Sequence, residues 1–104
     1  MTDPADCRSM TELRAAIDAL DGEIVRLFTL RAGYIDRAIQ LKPAEGLPAR
    51  IDARVEEVVA RVRARAGQGG LDPDLAEAIW RRVIEWSIAR EETVLGSQGP
   101  EESA

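Results

Sequence analysis

The chain contains no histidine. That absence removes the usual general base for activating a serine or cysteine nucleophile, and with it the commonest ligand of a zinc site. Its one cysteine, Cys7, has no partner within the chain and no adjacent base to activate it. An internal disulfide is therefore excluded, and a reducing cytoplasm is the expected compartment. No apolar run approaches the ~20 residues of a membrane span. The N-terminus lacks the basic-then-apolar layout of a signal peptide, so no membrane association is expected. A basic face free of acidic neighbours is also missing, and the net charge is −5. Nucleic acid is thereby excluded as a partner. Aromatic residues are few and about a third of residues are charged, a balance that suits a soluble helical protein of one domain.

What is present is organised around the stretch from Ser9 to Lys42. Leu13, Ile17, Leu20, Ile24 and Leu27 recur at alternating steps of four and three, the spacing of an apolar seam on a helix. A helix of that length would run roughly 50 Å at about 1.5 Å per residue, whereas a globule of this size has a radius of gyration of about 13 Å. Another copy of the chain is the expected partner for such a seam, in an intertwined homodimer. Residues 1–8 read as a mobile lead-in. Ser9-Met10-Thr11-Glu12 fits a capping box, and Pro43 should stop the first helix near Lys42.

A loop over residues 43–47 follows, and Pro48 suits the first turn of a second helix. Ile51, Val55, Val58, Val59, Val62 and Ala66 give that helix its apolar face. Gly67, Gly69 and Gly70 end it in a flexible joint. Asp72-Pro73-Asp74 starts a third helix, with a cap, a first-turn proline and an acid suited to the dipole. Gly96 should stop it. Leu75, Ala76, Ile79, Trp80, Val83, Ile84, Trp86 and Ile88 make this helix apolar over a wide arc, which implies more than one helical neighbour. Trp80 and Trp86 read as core or interface anchors, and residues 96–104 as a disordered tail. The fold class is all-α: one long helix and two shorter ones per subunit, with residues 9–95 as the domain.

Two cations interrupt the seam of the first helix. Arg31 and Lys42 are eleven residues apart, close to three whole turns, so they point the same way with α-carbons about 16 Å apart. Their long side chains leave a gap fit for a small dianion. A plainer account has Lys42 complementing the helix dipole and Arg31 extending its head to water from the seam's edge. Arg14 lies seventeen residues before Arg31 and could serve the same pocket only from an antiparallel second copy; alone it reads as an exposed first-turn residue. On the third helix Ala76, Trp80, Val83, Ser87 and Glu91 fall on one line, apolar at first and ending in a hydroxyl and a carboxyl. Ser87 bonding back to the preceding turn, and Glu91 solvated near the helix end, are the plain alternatives. Tyr34 needs a hydroxyl partner if buried.

These residues carry a resemblance. Leu13-Arg14-Ala15-Ala16-Ile17-Asp18 with Leu20-Asp21, then Arg31, Lys42, Arg54 and the Trp86-Ser87-Ile88-Ala89 segment leading to Glu91, resemble the all-helical (type II) chorismate mutases. Within that family the pattern is similar to the isochorismate-pyruvate lyases of salicylate formation, over about residues 6–94. The resemblance implies a three-helix subunit entwined in a homodimer with two shared active sites and no cofactor or metal. It implies that Arg14 of one subunit and Arg31 of the other grip carboxylates of a dianionic substrate, chorismate or isochorismate. Lys42 would bond a carboxylate and the ether oxygen of the breaking C–O bond, Arg54 would add positive field, and Ser87 would bond a carboxylate. Glu91 stands where many relatives place a glutamine that donates to the ether oxygen; a glutamate does so only when protonated. Many mutases bind the substrate hydroxyl with acids on the second helix, where this chain has Ile51 and Val55. That loss, with Asp6-Cys7 ahead of the first helix, leans toward the lyase-like subgroup.

Such chemistry agrees with the inventory: a pericyclic rearrangement needs no nucleophile, metal or obligatory proton transfer. Restraint of the substrate and fixed charges suffice. Three functions are set side by side: a mutase forming prephenate from chorismate, a lyase giving salicylate and pyruvate from isochorismate, and a catalytically silent helical dimer serving regulation or assembly. Arg31 in the apolar seam speaks against the third.

Overall fold

A computed structural model describes residues 2–96; the expected disordered tail lies, but for Gly96, outside the described residues. A one-turn 3-10 helix at Pro4–Asp6 precedes three α-helices, α1 (Met10–Glu45), α2 (Asp52–Gly69) and α3 (Pro73–Leu95). The all-α expectation holds. In the N-terminal stretch Asp3 caps the short turn by accepting from the Ala5 N–H.

Ser9 caps α1, its Oγ accepting from the Glu12 N–H at 3.1 Å. The capping box is off by one residue, because the Glu12 carboxylate reaches past Ser9 to the Arg8 N–H. At its other end α1 corrects the expectation, for it continues through Pro43 to Glu45. A proline in the last turn forfeits only one helical hydrogen bond. Gly46 then closes the end at φ 68°, which lets the Leu47 N–H reach the Lys42 carbonyl and the Gly46 N–H reach that of Pro43.

Pro48 likewise does not start α2. The connector over residues 46–51 is irregular, Ile51 is the N-cap, and helix begins at Asp52, an acid placed at the positive end of the dipole. What holds the connector out of helix is Ala49, which is buried and gives its carbonyl to a side chain of α1. Gly67 and Gly69 remain helical, and only Gly70, at φ 85°, ends α2. The start of α3 is as expected, with the Asp72 carboxylate accepting from the Asp74 N–H at 2.9 Å and Pro73 in the first turn.

By its contacts the chain divides within α1, between Tyr34 and Ile35. In the first unit the described residues are the 3-10 turn and α1 up to Tyr34, and none of them is buried. Ile17, Leu20, Ile24, Leu27 and Tyr34 are exposed there. In the second unit, α2 and α3 close on a core of Ala49, Val59, Ile84 and Ile88, with Val55, Val58, Trp80 and Leu95 packed against it. Trp80 is thus a core neighbour, whereas Trp86 is exposed in the single chain. Arg63 bridges to Asp74 and Glu77, and Arg81 to Glu77 and Glu56, tying the outer faces of α2 and α3. Truncating Ile88 to alanine is expected to cost about 2–5 kcal/mol, the range for buried aliphatic residues. Denaturant unfolding of the variant measures it; a loss under ~1 kcal/mol would contradict this assignment of the core.

Candidate functional site

Ser87 and Glu91 stand one turn apart on α3, four residues after the half-buried Val83 and on the line that begins at Ala76. Both are buried, each only 4% exposed. A serine and a glutamate are poor choices for a packed face, and neither is placed there by helix propensity. The frayed, solvated alternative for Glu91 is therefore corrected. Ser87 does bond back, its hydroxyl donating to the Val83 carbonyl at 2.9 Å. Donation to a ligand requires that hydroxyl to turn.

Lys42 meets this line from the last turn of α1. Its Nζ lies 2.7 Å from Glu91 Oε1 and donates to the Ala49 carbonyl at 2.9 Å. The lysine side chain is 16% exposed and the glutamate's 5%. Despite that closeness, Oε1 is buried without a hydrogen bond. The distance makes an ion pair, but the contact lies outside hydrogen-bond geometry, so both descriptions hold for one contact. An ammonium has three donors, and only one is committed to a hydrogen bond, on Ala49.

Energetically this is an odd arrangement to keep for stability alone. Removing both charges from water costs several kcal/mol per ion, repaid only when geometry is excellent and every lone pair is satisfied. Here one carboxylate oxygen faces the ammonium outside hydrogen-bond geometry. Buried polar atoms without a hydrogen bond are uncommon in folded proteins and call for an explanation. The arrangement can direct ammonium donors and one acid group toward a small anion from two different helices.

The remaining nominated residues are placed differently. Arg14 is exposed near the start of α1, and Arg31 is half-buried. Arg54 is exposed on α2 and hydrogen-bonds Glu57 one turn on. What the structure brings together is Lys42 with Glu91, and Ser87 on the same face of α3. Ile51 and Val55 are half-buried and apolar, and Val55 packs against the core. Among the described residues, no group of three or more His, Cys, Asp or Glu could hold a metal ion.

Two features escaped the sequence reading. The Ala49 carbonyl that orients Lys42 is a backbone atom and leaves no trace in residue type. The other did leave one: Lys42 is the single lysine beside thirteen arginines. A compact ammonium gives a point contact, whereas a guanidinium presents a wide fork.

The family described as chorismate mutase type II matches this chain over residues 13–92. The chain belongs to that family. The matched span includes Arg14, Arg31, Lys42, Arg54, Ser87 and Glu91. The isochorismate pyruvate lyase of Pseudomonas aeruginosa is 34% identical over 95 residues, which cover 88% of this chain and 89% of that protein. T-proteins of Haemophilus influenzae and Enterobacter agglomerans are 31% and 32% identical over 83 and 82 residues. Those matches cover 80% and 79% of this chain but 22% of each T-protein, so this chain spans about a fifth of their length. Activity of the chorismate mutase type goes with the family. No helix among the described residues is long and apolar enough to cross a membrane.

Proposed function

We propose that this type II chorismate mutase family member rearranges chorismate to prephenate, in a site whose centre is Lys42 and Glu91. One observation carries this assignment: a buried ammonium and a buried carboxyl from two helices, with a carboxyl oxygen lacking a hydrogen bond. A silent dimerisation module has no use for that pair.

In the proposed mechanism the enzyme holds the flexible dianion in a compact conformer, so that the ether C–O bond breaks as the new C–C bond forms. Charge accumulates on the ether oxygen in the transition state. Lys42 donates to that oxygen and to a neighbouring carboxylate, its ammonium already oriented by Ala49. Ser87 takes a carboxylate, Arg31 grips another, and Arg54 adds positive field. Fixed donors in a water-poor site stabilise developing charge without reorganising, and one such donor is typically worth about 3–4 kcal/mol of barrier.

A homodimer with two shared sites is part of the proposal, and Arg14 is supplied by the second copy. Support comes from the seam Ile17, Leu20, Ile24 and Leu27, exposed along α1 of the single chain. A contiguous apolar stripe of this kind marks an interaction surface. The cytoplasm remains the expected compartment, from the lone cysteine.

The second reading is isochorismate pyruvate lyase activity in the same site. It is favoured by the likeness to the Pseudomonas aeruginosa enzyme over nearly its whole length. Ile51 and Val55 also leave a substrate hydroxyl without an acidic anchor on α2. Purified protein offered chorismate and isochorismate separately, with prephenate, salicylate and pyruvate measured, separates the two. Turnover of neither would discard both.

Glu91 stands beside the incoming substrate. A carboxylate there repels a dianion, whereas an amide donates a hydrogen bond to the ether oxygen. Glu91→Gln is therefore expected to keep or raise turnover, measured by steady-state kinetics. A marked loss of turnover in a folded glutamine variant would show that the carboxyl itself is needed.

A further inference from the structure

Among the described residues, no buried side chain comes from α1, and the buried core is built from α2, α3 and Ala49. Yet Lys42, on α1, must face Glu91, on α3, to within a fraction of an ångström. Ile35, Ala38 and Ile39 in the last turns of α1 are only half-buried, so polar links between α1 and α3 share in setting the rotation of those turns. Beside the Lys42–Glu91 pair, a side-chain link in hydrogen-bond geometry joins those two segments. Arg90 Nε donates to Asp36 Oδ1 at 2.5 Å, and Nη2 donates to Oδ2 at 3.1 Å. Both carboxylate oxygens are thus held by one planar fork, a geometry that fixes orientation as well as distance. The same guanidinium sits 5.5 Å from the centre of the Trp86 ring, within cation–π range.

The placement matters more than the pair's own strength. Asp36 precedes Lys42 by six residues, about 9 Å along the helix axis, and Arg90 is the residue before Glu91. Two cross-links at different heights fix rotation where one would leave a pivot. We propose that Asp36 and Arg90, braced by Trp86, are positioning residues that hold the Lys42 ammonium in register with the Glu91 carboxyl; the consequence for catalysis rests on the function proposed above. Arg90 holds the Asp36 carboxyl below the usual carboxylate range through their hydrogen bonds, so the clamp is charged at neutral pH. An isolated ion pair with both partners this exposed contributes little to global stability. Its loss should therefore show in the register of Lys42 before it shows in unfolding.

Lys42 is the chain's single lysine, so an amine-acylating reagent reads its environment directly, with the α-amine as internal reference. Asp36→Asn and Arg90→Gln are each expected to raise the Lys42 labelling rate about fivefold or more, the population change for losing one such restraint. In the active enzyme kcat should fall about ten- to hundredfold, the range for a small misplacement of a catalytic group, with KM changed much less. The exchanged pair Asp36→Arg/Arg90→Asp should recover part of both. Arg81→Gln, which removes an exposed α2–α3 pair to Glu56 and a pair to Glu77 within α3 and leaves α1 alone, is the control and should change neither. Parent-like labelling and kcat in both single variants would overturn the clamp, as would an equal response to Arg81→Gln. Absence of turnover in the unaltered protein would defeat the proposed function instead, while the labelling comparison would still decide the clamp.

Discussion

Lys42→Ala is expected to lower kcat/KM by about two to three powers of ten, the loss typical when one preorganised donor to a developing oxyanion is removed. The magnitude follows from where the ammonium stands. It is mostly shielded from water, oriented by the Ala49 carbonyl and aimed from the helix end at the Ser87–Glu91 face. In water the same charge would be worth far less. A second effect has to be separated from this one. Truncating Lys42 leaves the Glu91 carboxylate buried without its ion-pair partner, and breaking a buried pair on one side costs about 3–5 kcal/mol. The double variant Lys42→Ala/Glu91→Gln removes that penalty and should regain stability without regaining turnover. Steady-state kinetics on both variants, with circular dichroism to verify the helices, checks the prediction. Near-normal turnover in a folded Lys42→Ala protein would remove Lys42 from the chemistry.

Mixing two dead proteins should produce a live one. Arg14→Ala and Arg31→Ala are each expected to be inactive as homodimers, since every shared site would then lack one carboxylate grip. In a two-fold symmetric dimer each chain lends its Arg14 to the partner's Arg31. A heterodimer of the two variants concentrates both defects in one site and leaves the other whole. After unfolding and refolding an equal mixture, about half of the dimers are mixed and each carries one working site of two, so recovery should reach about a quarter of the parent activity. Native mass spectrometry establishes that heterodimers have formed. No recovery in their presence would rule out sites shared in this way.

The helices were largely legible in the sequence because each is announced by short-range chemistry. Ser9, Asp72 and Gly70 act through the backbone within a turn of themselves, and that is why their roles could be named in advance. Pro43 and Pro48 misled for the complementary reason. Their local preferences are small against the closure at Gly46 and against the burial of Ala49, neither of which is visible in a single window of residues. The seam of α1 was legible too, and Ile17, Leu20, Ile24 and Leu27 of it are exposed along the single chain.

For the site, residue types went further than geometry. A face that turns from apolar to Ser87 and Glu91, and a helix whose seam ends in Lys42, could be read as a chemical inventory with the family pattern behind it. Only the resemblance brought Lys42 and Glu91 to one place, at the ether oxygen of the substrate; no spacing in the sequence made them partners. They are 49 positions apart in the chain, and the contact depends on how the last turns of α1 settle against α3. The same holds for the Ala49 carbonyl and for the Arg90–Asp36 fork, each made between atoms that no periodicity relates.

By itself, then, the sequence determined three helices, their polar and apolar faces, the exclusion of histidine-based catalysis, and which side chains were suspicious on their faces. All of these follow from interactions within a few residues. Tertiary structure alone decided which charges meet, which carboxyl oxygen is left without a hydrogen bond, and which backbone carbonyl points the ammonium. Those depend on burial and orientation between segments far apart in the chain, and an ion pair's worth is set by the water around it rather than by the residues that compose it.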